Sequence, residues 1–360
     1  MSTSTPPTET VAIGTLMEPK SSFLQRTVRA QAFQIFLVLI AIVLVFSLLA
    51  PDTFAQWSNF RLIIQNASIL AVLGVGMTYV IITAGIDLSI GSVLVFSGVV
   101  SAMAMRAVGG DGWGTATIGI VVAVASGLMW GIFNGLLIAK AKIPPLIVTL
   151  GTLGMALGFA QILTGGVDVR EVPSVLTTTI GYGNIFGTVP MISVIALFFI
   201  VVGAIMLHFT RFGLYTFAVG SSEIAARRVG VNVDRHLIKV YAMSGGLAGV
   251  AGILSLSQFS TTAIAGQTQT NLNVIAAVVI GGTSLFGGVG TIVGTVVGLF
   301  IPAVLQNGFV ITGVQPFWQQ VAVGAVLIIA VYIDQARRSA AMRGNSQGLW
   351  RKFVSGGRRG

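Results

Sequence analysis

Asn273–Leu305 reads NVIAAVVIGGTSLFGGVGTIVGTVVGLFIPAVL, two apolar runs joined by a glycine-rich break, without one ionisable side chain. The whole stretch from Val240 to Ile333 has the same property: it contains no Asp, Glu, Lys, Arg or His. A water-facing surface needs charge, and a spanning helix needs roughly 20 apolar residues in succession, so this half of the chain belongs in a bilayer. Its runs are continuous, where a membrane barrel would alternate apolar and polar residues. Every backbone polar group must be satisfied within the segment, so helices are the consistent reading. The fold class is all-α integral membrane.

Working outward, the full 360 residues are 54% hydrophobic and 8% charged. Apolar runs of spanning length fall near 30–50, 62–83, 89–106, 116–138, 146–164, 190–208, 240–258, 272–287, 289–310 and 317–333, which predicts about ten transmembrane helices. The first run is too long for a signal-peptide core and is followed at once by Pro51, so it is retained as a span. Residues 1–29, rich in Ser, Thr and Pro, read as a disordered tail, 30–334 as the transmembrane domain, and 335–360 as a basic tail.

Charge orients the chain. With the N-terminus in the cytoplasm, 17 of the 20 Lys and Arg fall in cytoplasmic segments, and only Arg61, Arg106 and Arg170 lie on the other side. Both termini are then expected inside, in a bacterial inner membrane. The net charge of +10 is explained by this bias, so no nucleic-acid partner is invoked. The absence of cysteine excludes disulfides, thiolate metal sites and thiol catalysis. His208 and His236 are the only histidines, too few for a histidine-rich metal site. No G-x-x-x-x-G-K-[S/T] string occurs, so the chain has no P-loop to hold nucleotide phosphates.

The 46 glycines concentrate at Gly74–Gly76, Gly245–Gly252 and Gly281–Gly298. Small residues allow tight helix packing, and they also permit broken or re-entrant segments that line a cavity. Two breaks echo each other: AGIDLSIG (84–91) after one apolar run, and LFGGVG (285–290) after another. Paired interruptions in two halves point to a binding or gating region. Asp87 is the sole charge between Leu62 and Met105. With Ser89 and Gly91 beside it, it reads as a helix cap accepting from free N–H groups, and alternatively as a gating or ion-binding group. Polar residues inside spans are candidate pathway contacts: Asn66, Thr83, Asn134, Asn273 and Asn307, with Thr78, Thr149, Gln161 and Gln306 behind them. Each could equally bond one helix to another.

The polar segment 211–239, RFGLYTFAVGSSEIAARRVGVNVDRHLIK, carries a short helix signal: Ser222 before Glu223, Ala225 and Ala226 as helix formers, and Gly230 as the stop. Glu223 and Arg227 are spaced to pair, with Arg228 beside them, as on any solvated helix. The string SSEIAARRVG resembles the EAA-type coupling loop of ABC importer permeases, and VGSSEIAARRVGVNVDR is similar to that of permeases for ribose, xylose and related monosaccharides. TAGIDLSIGSVLVFSG and NVIAAVVIGGTSLFGGVGTIVGTVVG resemble the same family, in the same order. Ile224 departs from the older triplet, standing where many importers have Ala.

The resemblance implies a type II-like permease architecture and a homodimer around one pathway. It further implies a cytoplasmic ATP-binding subunit on a coupling helix built from Ser222, Glu223, Ala225, Ala226, Arg227, Arg228 and Gly230, and a periplasmic sugar-binding protein outside. ATP and Mg would be used by the partner ATPase, with no cofactor in this chain and no catalytic residues. Permeases for branched-chain amino acids or nucleosides share this plan, and a stand-alone secondary carrier is the remaining alternative. The charge-free half disfavours a carrier, since ion-coupled carriers use ionisable groups on their path.

Overall fold

A computed structural model describes residues 31–335, apart from 171, 265–268, 316, 319, 326–327, 330 and 333–334. The tail expected over 1–29 lies outside the described residues, as does the basic C-terminal tail beyond Gln335. Among the described residues the architecture is carried by α1 (Gln31–Leu49), α2 (Trp57–Ile82), α3 (Ile90–Val108), α4 (Trp113–Ala139), α5 (Pro145–Thr164), α6 (Met191–Phe209), α7 (Arg211–Ser221), α8 (Glu223–Arg228), α9 (Val233–Phe259), α10 (Thr270–Ile280) and α11 (Ile292–Ile311). Between α5 and α6 a short helical turn, Ser174–Leu176, runs into a π-turn, Thr177–Gly181, and a hairpin of β1 (Asn184–Ile185) and β2 (Val189–Pro190).

Among the described residues seven helices, α2, α3, α4, α5, α6, α9 and α11, are long and apolar enough to cross a membrane. The all-α expectation holds, and the count of about ten is not confirmed among the described residues. The run near 272–287 shows why. Its helix, α10, has 11 residues and stops at Ile280. It therefore rises roughly 16 Å, about half of the hydrocarbon thickness. Beyond it Gly282, Gly287 and Gly288 all take positive φ, a conformation no helix can contain. The run near 317–333 is helical at every described position.

The interior is built from α2, α3 and α9, while α4, α5 and α6 keep most of their apolar surface on the outside. Leu150, Phe159, Ile162, Leu197 and Phe198 are exposed there, an arrangement suited to hydrocarbon and unsuited to water. Small residues set the packing. Gly127, Gly131 and Gly135, one turn apart on α4, lie against the α9 backbone at Gly245, Tyr241 and Ile238. A side chain at any of them would displace α9, so the contact is van der Waals packing at its closest.

Candidate functional site

The segment after α6 is organised by three capping side chains. Thr210 accepts from Gly213 N–H, Ser222 from Ala225 N–H at 3.2 Å, and Asn232 from Arg235 N–H at 3.0 Å, opening α7, α8 and α9 in turn. Each cap satisfies an N–H that the first helical turn leaves without a partner. Gly230, at φ +87°, ends α8 as a left-handed turn. Structure continues further than the sequence reading placed it: Val233–Lys239 already belongs to α9, and α7 is a helix in its own right.

Ala226 is the buried anchor of α8, held among Val219 and Val233. On the outer side Arg227 donates to Glu223 and to Asp234, while Lys142 from the α4–α5 loop reaches Asp234 at 2.9 Å. Asp234 first, then Glu223, hold the Arg227 guanidinium above its ordinary pKa. Ion pairs this exposed contribute little to stability and serve chiefly to fix the position of α8. Ile224 on α8 and Val229 just beyond its end project outward at 69% and 79% exposure, an apolar pair beside the charged Glu223, Arg227 and Arg228. Ser222, Glu223, Ala225 and Arg228 share that open surface.

The first glycine break, 83–89, is a buried polar hub. Asp87 Oδ1 accepts from Ser89 N–H at 2.9 Å and from Ser89 Oγ at 2.6 Å, and Oδ2 accepts from Ser244 Oγ of α9 at 3.1 Å. Asn134 of α4 donates to Ser89 Oγ at 3.0 Å and accepts from Thr152 of α5. Thr149 of α5 donates to the Ile86 carbonyl at 3.1 Å, and the Gly91 N–H donates to Asn271 of α10. The short irregular segment is thus pinned to α4, α5 and α9, and the first turn of α3 that follows it is pinned to α10. The Asp87 carboxyl group takes its three bonds from neutral donors, which satisfies a polar group at 2% exposure.

The remaining pathway candidates separate into two kinds. Thr78 bonds Thr295 at 2.7 Å, Asn307 donates to Asn59 at 2.8 Å, and Asn66 accepts from Gln258 at 2.7 Å, so these join helices to one another. Asn134 and Thr149 belong to the hub. Thr83 lines a cavity of about 310 Å³ between the break, the α4–α5 loop, α8 and α9, whose wall also includes Ala84, Lys142, Pro144, Glu223 and Tyr241. Ala84 and Lys142 hold φ of 61° and 57°, unusual for residues with a Cβ and frequent where segments move. Asn273 is half-buried on α10, and Gln161 and Gln306 are exposed on α5 and α11. Ser244, Thr152, Asp234 and Lys142 were not singled out from the sequence. No local pattern pairs a serine in YAMSGG with an aspartate 157 residues away.

Residues 59–331 match the family model described as the permease component of branched-chain amino acid transport systems. The ribose import permease protein of Escherichia coli strain K12 is 37% identical over 305 residues, 84% of this chain and 92% of that protein. The fructose import permease protein of Rhizobium meliloti is 32% identical, covering 85% of each chain. The autoinducer 2 import system permease protein of Yersinia pseudotuberculosis is 33% identical over 88% of this chain and 89% of that one. No solved structure matches.

Proposed function

The chain belongs to the family of permease components of branched-chain amino acid transport systems, and from that premise we propose that it is the membrane-spanning subunit of an ATP-driven importer that carries a monosaccharide. The observation that carries the sugar assignment is the near full-length similarity to permeases named for ribose and fructose. The capped helix α8, with an apolar pair facing outward, supports the coupling role. It offers a compact knob on which a cytoplasmic ATP-binding subunit docks, with Ile224 and Val229 as the contact.

In this reading two copies of the chain surround one pathway and a periplasmic binding protein delivers the sugar. ATP and Mg act in the partner, and the chain contributes no catalytic group. The end of the molecule that carries α8 faces the cytoplasm, in agreement with the concentration of Lys and Arg there. Closure of the ATP-binding subunits displaces α7 and α8, the break at 83–89 moves with them, and the cavity beside Thr83 gives that movement room. The helices that meet at the break then change which side the pathway opens to, an equilibrium that nucleotide biases by binding the two states unequally.

The test is uptake of labelled pentoses, hexoses and leucine by cells expressing the whole transport operon, comparing wild type with Ile224→Glu. The Ile224 side chain is 69% exposed and belongs to no core cluster, so the variant is expected to insert normally. Expected is ATP-dependent uptake of one monosaccharide, abolished in the variant, which no longer co-purifies with the ATPase. Wild-type uptake of leucine and no sugar would overturn the substrate; undiminished uptake by the variant would overturn the docking role. Ile224 is a better probe than Gly230, where any side chain is strained by the positive φ.

A further inference from the structure

The two glycine breaks and the end of α7 meet in one place, at backbone-to-backbone distance. Gly288 N–H donates to the Ile82 carbonyl at 2.9 Å, which ties the second break to the last residue of α2. Gly220, in the final turn of α7, lies directly on both partners. A Cβ there would overlap the Ile82 carbonyl oxygen and sit 2.7 Å from Gly288 N. A Cβ on Gly287 would fall 2.8 Å from the Gly220 carbonyl and 2.9 Å from Ala84 Cβ, and one on Gly288 would fall 2.7 Å from Ser221 Oγ. Each of the three segments therefore touches the other two through backbone.

Contact of this kind behaves differently from side-chain packing. Side chains can change rotamer and absorb a displacement, whereas abutting backbones have no such freedom and pass it on. Ser221 and Ser222 follow Gly220 directly, and Ser222 is the cap of α8. Any movement of α8 thus enters the joint within two residues.

We propose that Gly220, Gly287 and Gly288 are positioning residues for transport: they lock the end of α7 to both breaks, so that α8 moves the 83–89 and 281–290 segments together as one body. The proposal rests on the importer reading and adds the route by which the coupling helix reaches the gate. It also accounts for the paired breaks, since two interruptions are needed if one lever is to act on two helix pairs, α2–α3 and α10–α11.

Two variants test it in the complete transporter, with its ATPase and binding protein, reconstituted in liposomes. Wild-type ATP-dependent sugar uptake first establishes the importer reading independently. Gly220→Ala is expected to assemble with the ATPase and hydrolyse ATP, yet to lose about tenfold in sugar moved per ATP, the scale of a typical coupling energy. A purely structural glycine would lower assembly and leave that ratio unchanged, and an unchanged ratio overturns the proposal. The chain has no cysteine, so the double variant Ser221→Cys, Val289→Cys carries the only permease thiols, one beside each half of the joint. Linking them with a short bifunctional thiol reagent is expected to leave uptake intact, because segments that move together tolerate a tether. Failure to link, or uptake abolished by linking, overturns the proposal even if Gly220→Ala fails to assemble.

Discussion

Asp87 is the residue on which the buried hub depends, and its substitutions distinguish the bonds it accepts from one another. Asp87→Ala leaves Ser89 N–H, Ser89 Oγ and Ser244 Oγ without their acceptor, and burying unsatisfied donors costs about 1–3 kcal/mol each before relaxation. Its thermal midpoint in detergent should fall clearly. Asp87→Asn keeps one acceptor oxygen and should lose less, and Ser244→Ala, which removes a single donor, should lose about 1 kcal/mol. Equal destabilisation by all three would show that the hub contributes no specific bonding. The sequence made Asp87 conspicuous as a lone charge in a long apolar stretch, and its neighbour Ser89 was equally plain. The bond from Ser244 was illegible, because its partner is fixed only when α9 packs against the break.

Among the elements, α8 is short enough that its cap and its anchor decide whether it persists. A helix of six residues cannot sustain itself by propensity. Removing the cap in Ser222→Ala should cost about 1 kcal/mol locally and speed amide exchange over 223–228 with no change in α9; unchanged exchange would mean that Ala226 and the ion pairs alone hold it. The tight α4–α9 contact makes the opposite demand. Gly127→Leu places a branched side chain where a Cβ already meets Gly249 N at 2.8 Å, so the helices must separate, and the variant should yield little folded protein in the membrane. Normal yield and midpoint would contradict the packing described. Most long helices could be read from apolar runs, because hydropathy and length answer the same question a bilayer asks. The end of α10 could not. Glycines at 281, 294 and 298 pack α10 onto α11, whereas those at 282, 287 and 288 turn the chain, and composition does not distinguish these uses. The polar first turns of α9 were missed for a related reason, since a charged helical extension and a charged loop look alike to a hydropathy count.

At the scale of the molecule, the arrangement requires that α8 and the hairpin between α5 and α6 lie on opposite sides of the membrane. α9 runs from the Asp234 end, which is ion-paired to Arg227 and Lys142, to Ser257, against whose carbonyl Gly181 is seated. Its 27 residues rise roughly 40 Å, more than the hydrocarbon core, so its two ends emerge into different compartments. Phe186, 95% exposed at the hairpin tip, marks one end, and Val229, 79% exposed beyond α8, marks the other. Both tolerate a single introduced cysteine, and the native chain offers no competing thiol. A membrane-impermeant maleimide applied to spheroplasts should label Phe186→Cys and spare Val229→Cys until the membrane is opened, as the distribution of Lys and Arg demands. Labelling of Val229→Cys from outside would invert the whole assignment: α8 could not then meet an ATP-hydrolysing subunit, and the paired breaks would lose the lever that acts on them.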